Sequence, residues 1–211
     1  MMNLKKITSL FFVIGFTSAL IVGVGGCTIK NEVAGINVNS TSNELEPLKA
    51  DIYRDEKFVF GGLQWNIEKE KIIKEKHIEN PDIPNSDLLM SDGDLDLEAV
   101  IRQDLLYNFQ DDRLVSGEYL FFSFEREPLE RLILKLKDLL SSDFPQPLSS
   151  DFSLLNEPDK VLEEEVQITW KAEDESYLRL NVLQTARDGK EGYLVQIKVD
   201  SPLIEKNMFK P

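Results

Sequence analysis

Six segments with strand-like apolar patterns constrain the fold of this chain most strongly. They lie near 86–90, 98–109, 113–124, 163–170, 176–184 and 192–200. Residues two apart share a face of a strand, so the alternation of Leu178, Leu180 and Val182 predicts a sheet with a buried face. The sequences Gln110-Asp111-Asp112 and Arg187-Asp188-Gly189-Lys190 predict tight hairpins between neighbouring strands, which makes the sheet antiparallel.

Two helical patterns alternate with these strands. The first covers Ile67 to His77, with Asn66 as its predicted N-cap. The second begins at Pro128, which suits the first turn of a helix. Its apolar residues repeat at spacings of three and four: Leu129, Leu132, Ile133, Leu136 and Leu140. The order of helix, three strands, helix, three strands predicts an α+β fold. We expect an antiparallel sheet of about six strands, both helices on one face, and two tandem halves of similar layout.

Composition excludes several classes of function. The chain has 38 acidic and 24 basic residues and a net charge of −14, which argues against a nucleic-acid partner because phosphates require a basic surface. One cysteine and one histidine exclude an internal disulfide, a cysteine zinc cluster and a multi-histidine metal site. The sequence has no glycine-rich phosphate loop, so no cofactor is predicted.

The amino terminus has the features of a secretory signal. Lys5 and Lys6 form a short positive region, and the stretch from Ile7 to Val24 is apolar or small. It ends in Val24-Gly25-Gly26-Cys27. A charged start, an apolar stretch and small residues at its end predict export from the cytoplasm.

The tetrapeptide Val24-Gly25-Gly26-Cys27 resembles the lipobox of bacterial lipoproteins, in which an aliphatic residue and two small residues precede the cysteine. The resemblance implies a signal peptide at 1–26, cleavage between Gly26 and Cys27, and a diacylglyceryl thioether on Cys27. The membrane would then be a partner through the lipid anchor. The protein would lie on the extracytoplasmic face of the cell membrane.

Two other readings of the amino terminus stay open. An apolar stretch of 18 residues approaches the length of a spanning helix, so an uncleaved membrane anchor is one alternative. An ordinary cleavage site followed by an incidental thiol at Cys27 is the other. Loss of Lys5 and Lys6 with the signal would leave 22 basic and 38 acidic residues, a net charge of −16. Anionic headgroups repel such a surface, so the lipid would have to hold it at the membrane.

The segment after the cysteine predicts a flexible tether over 27–50. Asn, Ser and Thr dominate it, and its apolar residues have no sustained helical or strand period. The acidic α+β region at 51–211 has the natural length of one domain.

Phe58-Val59-Phe60-Gly61-Gly62-Leu63-Gln64-Trp65 resembles a short pattern of uncharacterised secreted bacterial proteins. In that pattern, aromatic, glycine, aliphatic and tryptophan residues precede a charged helix. The broad layout is also similar to the outer-membrane assembly component BamE and to helix-plus-sheet protease or lactamase inhibitors. The residues themselves favour an aromatic plug that packs over the core.

The sharpest chemical candidate is the acidic segment Asp92-Gly93-Asp94-Leu95-Asp96-Leu97-Glu98. Carboxylates at alternate positions can coordinate calcium, and Asp92, Asp94 and Asp96 are the candidate metal ligands. The segment departs from the EF-hand pattern at Leu97, where glycine is required, and at Gln103, where glutamate is required. The alternative to a calcium site is a solvent-exposed edge, in which the acids share one side of an extended segment and bind no metal.

No catalytic constellation emerges elsewhere. His77 ends a predicted helix, and the serines near Ser141 and Ser149 lack the flanking glycines of a nucleophile elbow. Glu163-Glu164-Glu165 predicts a charged strand entry. The leading hypothesis is therefore a non-catalytic binding or scaffold module that contacts an unidentified protein or other envelope component. The alternatives are an anchored hydrolase with a carboxylate pair, or an inhibitor that presents the acidic segment to a basic enzyme cleft.

Overall fold

A computed structural model describes residues 44–78, 87–142, 144–148, 150–164, 166–187 and 189–204. These residues belong to one unit spanning 38–211. The predicted signal peptide, Cys27 and most of the predicted tether lie outside the described residues.

The described chain contains five helical segments and eight strands. The helical segments are α1 (Glu46–Ile52), α2 (Lys69–Glu75), α3 (Arg126–Ser142), a 3-10 helix (Ser150–Asn156) and α4 (Pro158–Glu163). The strands are β1 (Tyr53–Arg54), β2 (Lys57–Phe58), β3 (Leu88–Asp92), β4 (Arg102–Gln110), β5 (Arg113–Ser123), β6 (Val166–Lys171), β7 (Tyr177–Arg187) and β8 (Lys190–Asp200).

The main sheet is built from two mirrored meanders. Its strand order is β3-β4-β5-β8-β7-β6, and every neighbouring pair is antiparallel. Each half runs from an edge strand inward, and the halves meet where β5 pairs with β8. The predicted α+β fold with a six-stranded antiparallel sheet is confirmed, as is the tandem layout of a helix and three strands. Strands β1 and β2 form a separate hairpin.

One face of the sheet carries the hydrophobic core, and we call it the core face. Directly paired residues of antiparallel strands project to the same side, so the register identifies its members. The fully buried members on the four strands β5 to β8 include Phe121, Ile168, Trp170, Leu178, Leu180, Val182, Val195, Ile197 and Val199. Helix α3 adds Leu129, Leu132, Ile133, Leu136 and Leu140 to the same cluster. The predicted stripe of α3 is therefore its buried face.

Asn66 does not cap α2, contrary to the prediction. The helix begins at Lys69, two residues later than predicted, and its N-cap residue Glu68 makes no side-chain capping bond. Asn66 instead adopts φ = 65°, and its N–H donates to the carbonyl oxygen of Leu114 at 3.0 Å. Backbone pairing with the start of β5 therefore holds Asn66 in a left-handed turn outside the helix.

The packed body begins before the predicted boundary at Asp51. Helix α1 occupies part of the predicted tether, and Leu45 and Leu48 are buried in the core. Proline at the first positions of α1 favours the helical start. These two leucines are three residues apart and both reach the core. A single such pair is too short a pattern to be recognised as a helix from the sequence.

The aromatic segment 58–65 packs as the predicted plug. Phe58 and Phe60 are fully buried, and the Phe60 ring lies on β5 at Gly117, where a Cβ would come within 2.1 Å of the ring. Gly61 and Gly62 both have positive φ, of 59° and 66°, and turn the chain back toward α1. The absence of a side chain at Gly117 thus lets the plug contact the sheet.

Candidate binding surfaces

The acidic segment 92–98 leaves its carboxylates apart from one another. Asp92, Asp94, Asp96 and Glu98 are exposed, while Leu95 and Leu97 are half-buried against the core. Only Asp92 lies within a strand. Among the described residues, no group of three or more His, Cys, Asp or Glu side chains converges as metal ligands. The structure therefore shows no arranged ligand set for the calcium candidate.

Two contacts hold this segment in place. The Gln103 side chain accepts a hydrogen bond from the Leu95 N–H at 3.2 Å and donates to the Leu95 carbonyl oxygen at 2.7 Å. Arg131 on α3 donates to both oxygens of Glu98, each at 2.7 Å. This paired guanidinium lowers the pKa of Glu98. The exposed acids are thus presented by a segment that is held at its middle, Leu95, and at its last residue, Glu98.

The other residues considered for catalysis are structural or exposed. His77 is exposed with φ = 51° just after α2. The Ser141 and Ser142 hydroxyls donate to carbonyl oxygens of their own helix. Glu163 lies in α4, not in a strand, and pairs with Arg126 at 3.1 Å. The prediction that Glu163-Glu164-Glu165 leads into a strand is therefore wrong for Glu163, which belongs to a helix.

The side of the sheet opposite the core forms the second candidate surface, which we call the open face. Its apolar side chains lie outside the core cluster and are half-buried or exposed; they are Leu88, Met90, Leu106, Leu120, Phe122, Leu183 and Leu194. Phe124 follows β5, is 47% exposed, and packs edge-on against Phe122 with ring centroids 4.8 Å apart. The described helices contribute their buried leucines and isoleucines to the core cluster, on the opposite side.

A ladder of amides crosses the open face. Gln167 donates to Asn181 at 2.9 Å, Asn181 donates to Gln196 at 2.8 Å, and Gln196 donates to Glu118 at 2.6 Å. The Glu118 carboxylate also meets Lys198 at 3.3 Å, although the Glu118 side chain is only 12% exposed. Four strands are thereby linked by side chains whose polar groups are largely satisfied within the sheet.

The open face is slightly basic, in contrast to the acidic chain as a whole. Its described acidic side chains are Asp92, Asp104, Glu118 and Asp200, and its described basic side chains include Arg102, Lys171, Arg179, Lys190 and Lys198. Arg102 donates three hydrogen bonds of 2.8, 2.9 and 3.1 Å to the Asp104 carboxylate, and Arg179 binds Asp200. The chain's net charge of −14 therefore lies outside this face.

A shallow groove of about 560 Å³ lies beside α2. Residues 62–68, with Lys71, Glu75 and Arg113, line it. Its two acids are exposed and paired: Glu68 with Arg113 at 2.9 Å and Glu75 with Lys71 at 3.7 Å. A glycosidase needs one carboxylic acid kept protonated by an apolar site, so exposed and ion-paired acids do not form that arrangement.

A small polar cluster anchors the aromatic plug on the core face. The Tyr119 hydroxyl accepts a hydrogen bond from the Gly61 N–H at 3.0 Å, and burial raises the pKa of the Tyr119 phenol. Burial also raises the pKa of Asp51, with opposing effects from Lys76 and Arg54. Lys76 donates to the Gly61 carbonyl oxygen at 3.0 Å. These contacts attach the glycine turn to the sheet.

Comparison of the chain with protein-family models, curated proteins and solved structures finds no match in any of the three. Within the described ranges, no helix combines the length and the apolarity needed to cross a membrane. The fold and its surfaces are thus the basis for any functional assignment.

The sequence reasoning did not identify the open face. One signal for it was present in the sequence, because Leu120 and Phe122 lie on one side of β5 and Tyr119 and Phe121 on the other, and a strand that is apolar on both sides is typical of a central position. The register between the halves was needed to show that Leu194 and Leu183 lie in the same row as Phe122.

Proposed function

We propose that this protein is a membrane-anchored extracytoplasmic lipoprotein whose α+β domain is a non-catalytic binding module of the cell envelope. The open face is its docking surface, the membrane is a partner through the lipid on Cys27, and nucleic acid is not a partner. The observation that supports docking is a partly apolar sheet face with no excess of acidic side chains, on a chain with net charge −14. The observation that supports the anchor is Val24-Gly25-Gly26-Cys27 after an apolar stretch.

Three properties make the open face suitable for protein docking. Large apolar patches on soluble proteins mark interaction sites, and aromatic residues such as Phe122 and Phe124 are enriched in interface cores. The amide ladder satisfies its own polar groups, so a partner can cover it without leaving many of them unpaired. Acidic and basic side chains nearly balance on this face, which lowers the electrostatic cost of approach relative to the rest of this acidic chain.

The anchor is tested by membrane fractionation of the full chain with Cys27→Ser. We expect the variant to leave the membrane fraction because it lacks the thiol that forms the thioether. Thr28→Ser is the matched control and should stay with the membranes. Retention of the Cys27→Ser variant in the membrane fraction would refute the lipid anchor and favour an uncleaved spanning segment.

Docking is tested by a photoreactive residue placed in the full chain in intact cells. Met90 on the open face and Leu134 on the outer side of α3 have nearly equal exposure, 39% and 40%. We expect discrete crosslinked products from position 90 and background alone from position 134. Equal yields from the two positions would contradict docking through the open face.

The acidic segment supports a second candidate, inhibition of an extracytoplasmic enzyme with a basic cleft. The specific observation is its fixation by Gln103 and Arg131, because a preorganised loop loses little entropy on binding. Replacement of Asp92, Asp94 and Asp96 by Asn should then abolish inhibition of the target enzyme. An unchanged inhibition constant would eliminate this candidate.

A further inference from the structure

We infer that the occupant of the open face is a second copy of this chain, packed face to face about a two-fold axis parallel to the strands. This inference rests on the proposed docking function and names the partner for the same surface. It is carried by the distribution of charge on the face and by the register of its central strands.

The open face is electrically divided between its two halves. The β3–β5 half carries Asp92, Asp104, Glu118 and Arg102, a net charge of −2. The described side chains of the β6–β8 half include Lys171, Arg179, Lys190, Lys198 and Asp200, which together carry a net charge of +3. Such a surface is complementary to itself if the acidic half of one copy lies over the basic half of the other.

Only one of the two simple face-to-face arrangements achieves this. A two-fold axis that runs parallel to the strands, between β5 and β8, places the β6–β8 half of one copy over the β3–β5 half of the other. An axis across the strands would place acidic half over acidic half. Aligned packing of the two sheets is also one of the two common geometries of sheet sandwiches.

The register of β5 and β8 makes the contacts near that axis complementary as well. Glu118 pairs across the strands with Lys198, and Phe122 pairs with Leu194. The axis places β8 of one copy over β5 of the other in the same register. Glu118 therefore faces Lys198 of the second copy, and Phe122 faces Leu194 of the second copy. An isologous interface requires such self-complementary pairs.

The size of the face suits a stable interface. Six strands about 4.8 Å apart, with central strands of about 3.3 Å rise per residue, give a face of roughly 25 by 30 Å. That is close to the ~800 Å² per partner of a standard interface. Two anchored copies also share one membrane, which raises their effective concentration.

The test is sedimentation of the full lipidated chain in detergent over a range of concentrations. We expect a reversible dimer. Phe124→Asp should raise the dissociation constant at least about tenfold, since it places a charge in the contact, whereas Leu134→Asp on the outer side of α3 should leave it unchanged. A wild-type chain that stays monomeric, or equal effects of the two variants, would overturn the inference.

A charge exchange provides the second measurement. Glu118→Lys and Lys198→Glu should each weaken the dimer, because each leaves two like charges face to face. The double variant restores opposite charges within and between the copies and should recover dimerisation. Failure of the folded double variant to dimerise would overturn the stated geometry.

The two proposals fail in distinguishable ways. Crosslinked products from position 90 in cells, with a purified chain that is monomeric, would overturn the second copy and leave docking to a different protein intact. Absence of both crosslinks and dimers would overturn the docking function itself. Products of twice the chain's mass support the second copy.

Discussion

The two faces of the central sheet are made by the same strands but serve different purposes. Phe121 and Phe122 are neighbours on β5, yet Phe121 is 1% exposed in the core and Phe122 is half-buried on the open face. The core face is covered by α3 and the aromatic plug, whereas the open face combines an amide ladder with partly exposed apolar side chains. Apolar residues on both sides of a strand therefore predict that the strand is central in its sheet. They do not predict that helices cover both sides of the sheet.

The largest expected effect on stability comes from truncating the side chains of Phe121 and Phe122 to alanine. Phe121→Ala should lower the free energy of unfolding by about 3–5 kcal/mol, because it opens a cavity in a packed core. Phe122→Ala should lower it by about 1–2 kcal/mol, since less area is removed from water. Denaturant titration of both variants measures the difference. Equal losses would mean that the two faces are equally packed.

Alanine at two glycines repeats the comparison with an added methyl group. A Cβ at Gly117 would come within 2.1 Å of the Phe60 ring in the core, and one at Gly192 within 2.7 Å of the Phe122 ring on the open face. Gly117→Ala should destabilise by about 1–3 kcal/mol. In the dilute, monomeric chain, Gly192→Ala should cost less than about 1 kcal/mol, because the Phe122 ring can move toward solvent. Thermal unfolding distinguishes them, and the reverse order would contradict the assignment of the faces.

The buried phenol of Tyr119 should make the core face sensitive to alkaline pH. Burial raises its pKa in the folded state above the ordinary value near 10, so its contribution is complete below pH 10 and is lost as the pH rises further. The loss approaches about 1.4 kcal/mol per pH unit. Tyr119→Phe should remove this contribution, and should cost about 1–3 kcal/mol at neutral pH by leaving the Gly61 N–H unpaired. Identical alkaline slopes for variant and wild type would disprove the proposed cause.

The smallest expected effect lies outside both faces, at Glu98. Arg131 lowers the pKa of Glu98 below its ordinary value of 4.5, so the stabilisation is present above that pH and is lost as the pH falls through the lower folded value. Both side chains are exposed, and Glu98→Gln should therefore cost less than about 1 kcal/mol. Asp96→Asn, at a neighbouring exposed acid, is the control. Denaturation at pH 7 and pH 3 should show a larger difference between the variants at pH 7 than at pH 3.

Much of the fold could be predicted because its periodic patterns are long. Helix α3 and the strands β4 to β8 have enough repeats for their buried residues to be recognised, and Asp111 and Asp112, both with positive φ, form the predicted turn. The short helices α1 and α4 were not predicted. Helix α1 has seven residues, and α4 has six with a proline at its start.

The candidate sites were harder to predict than the fold. The acids at 92–98 were visible as a cluster in sequence, but their separation depends on the burial of Leu95 and Leu97 between them. The open face required knowledge that β5 pairs with β8, a contact between residues about 80 positions apart, such as Glu118 with Lys198. No local pattern encodes that pairing.

The most direct test of docking through the open face is the rate of thiol labelling in intact cells. A cysteine is introduced in place of Phe124 or, as the control, Leu134, and the rate of maleimide modification is compared between cells and the dilute purified chain. We predict that Phe124→Cys reacts several-fold more slowly in cells than when purified, whereas Leu134→Cys reacts at similar rates in both. Equal relative rates at the two positions would show that the open face is uncovered in the cell and would contradict the proposed docking function.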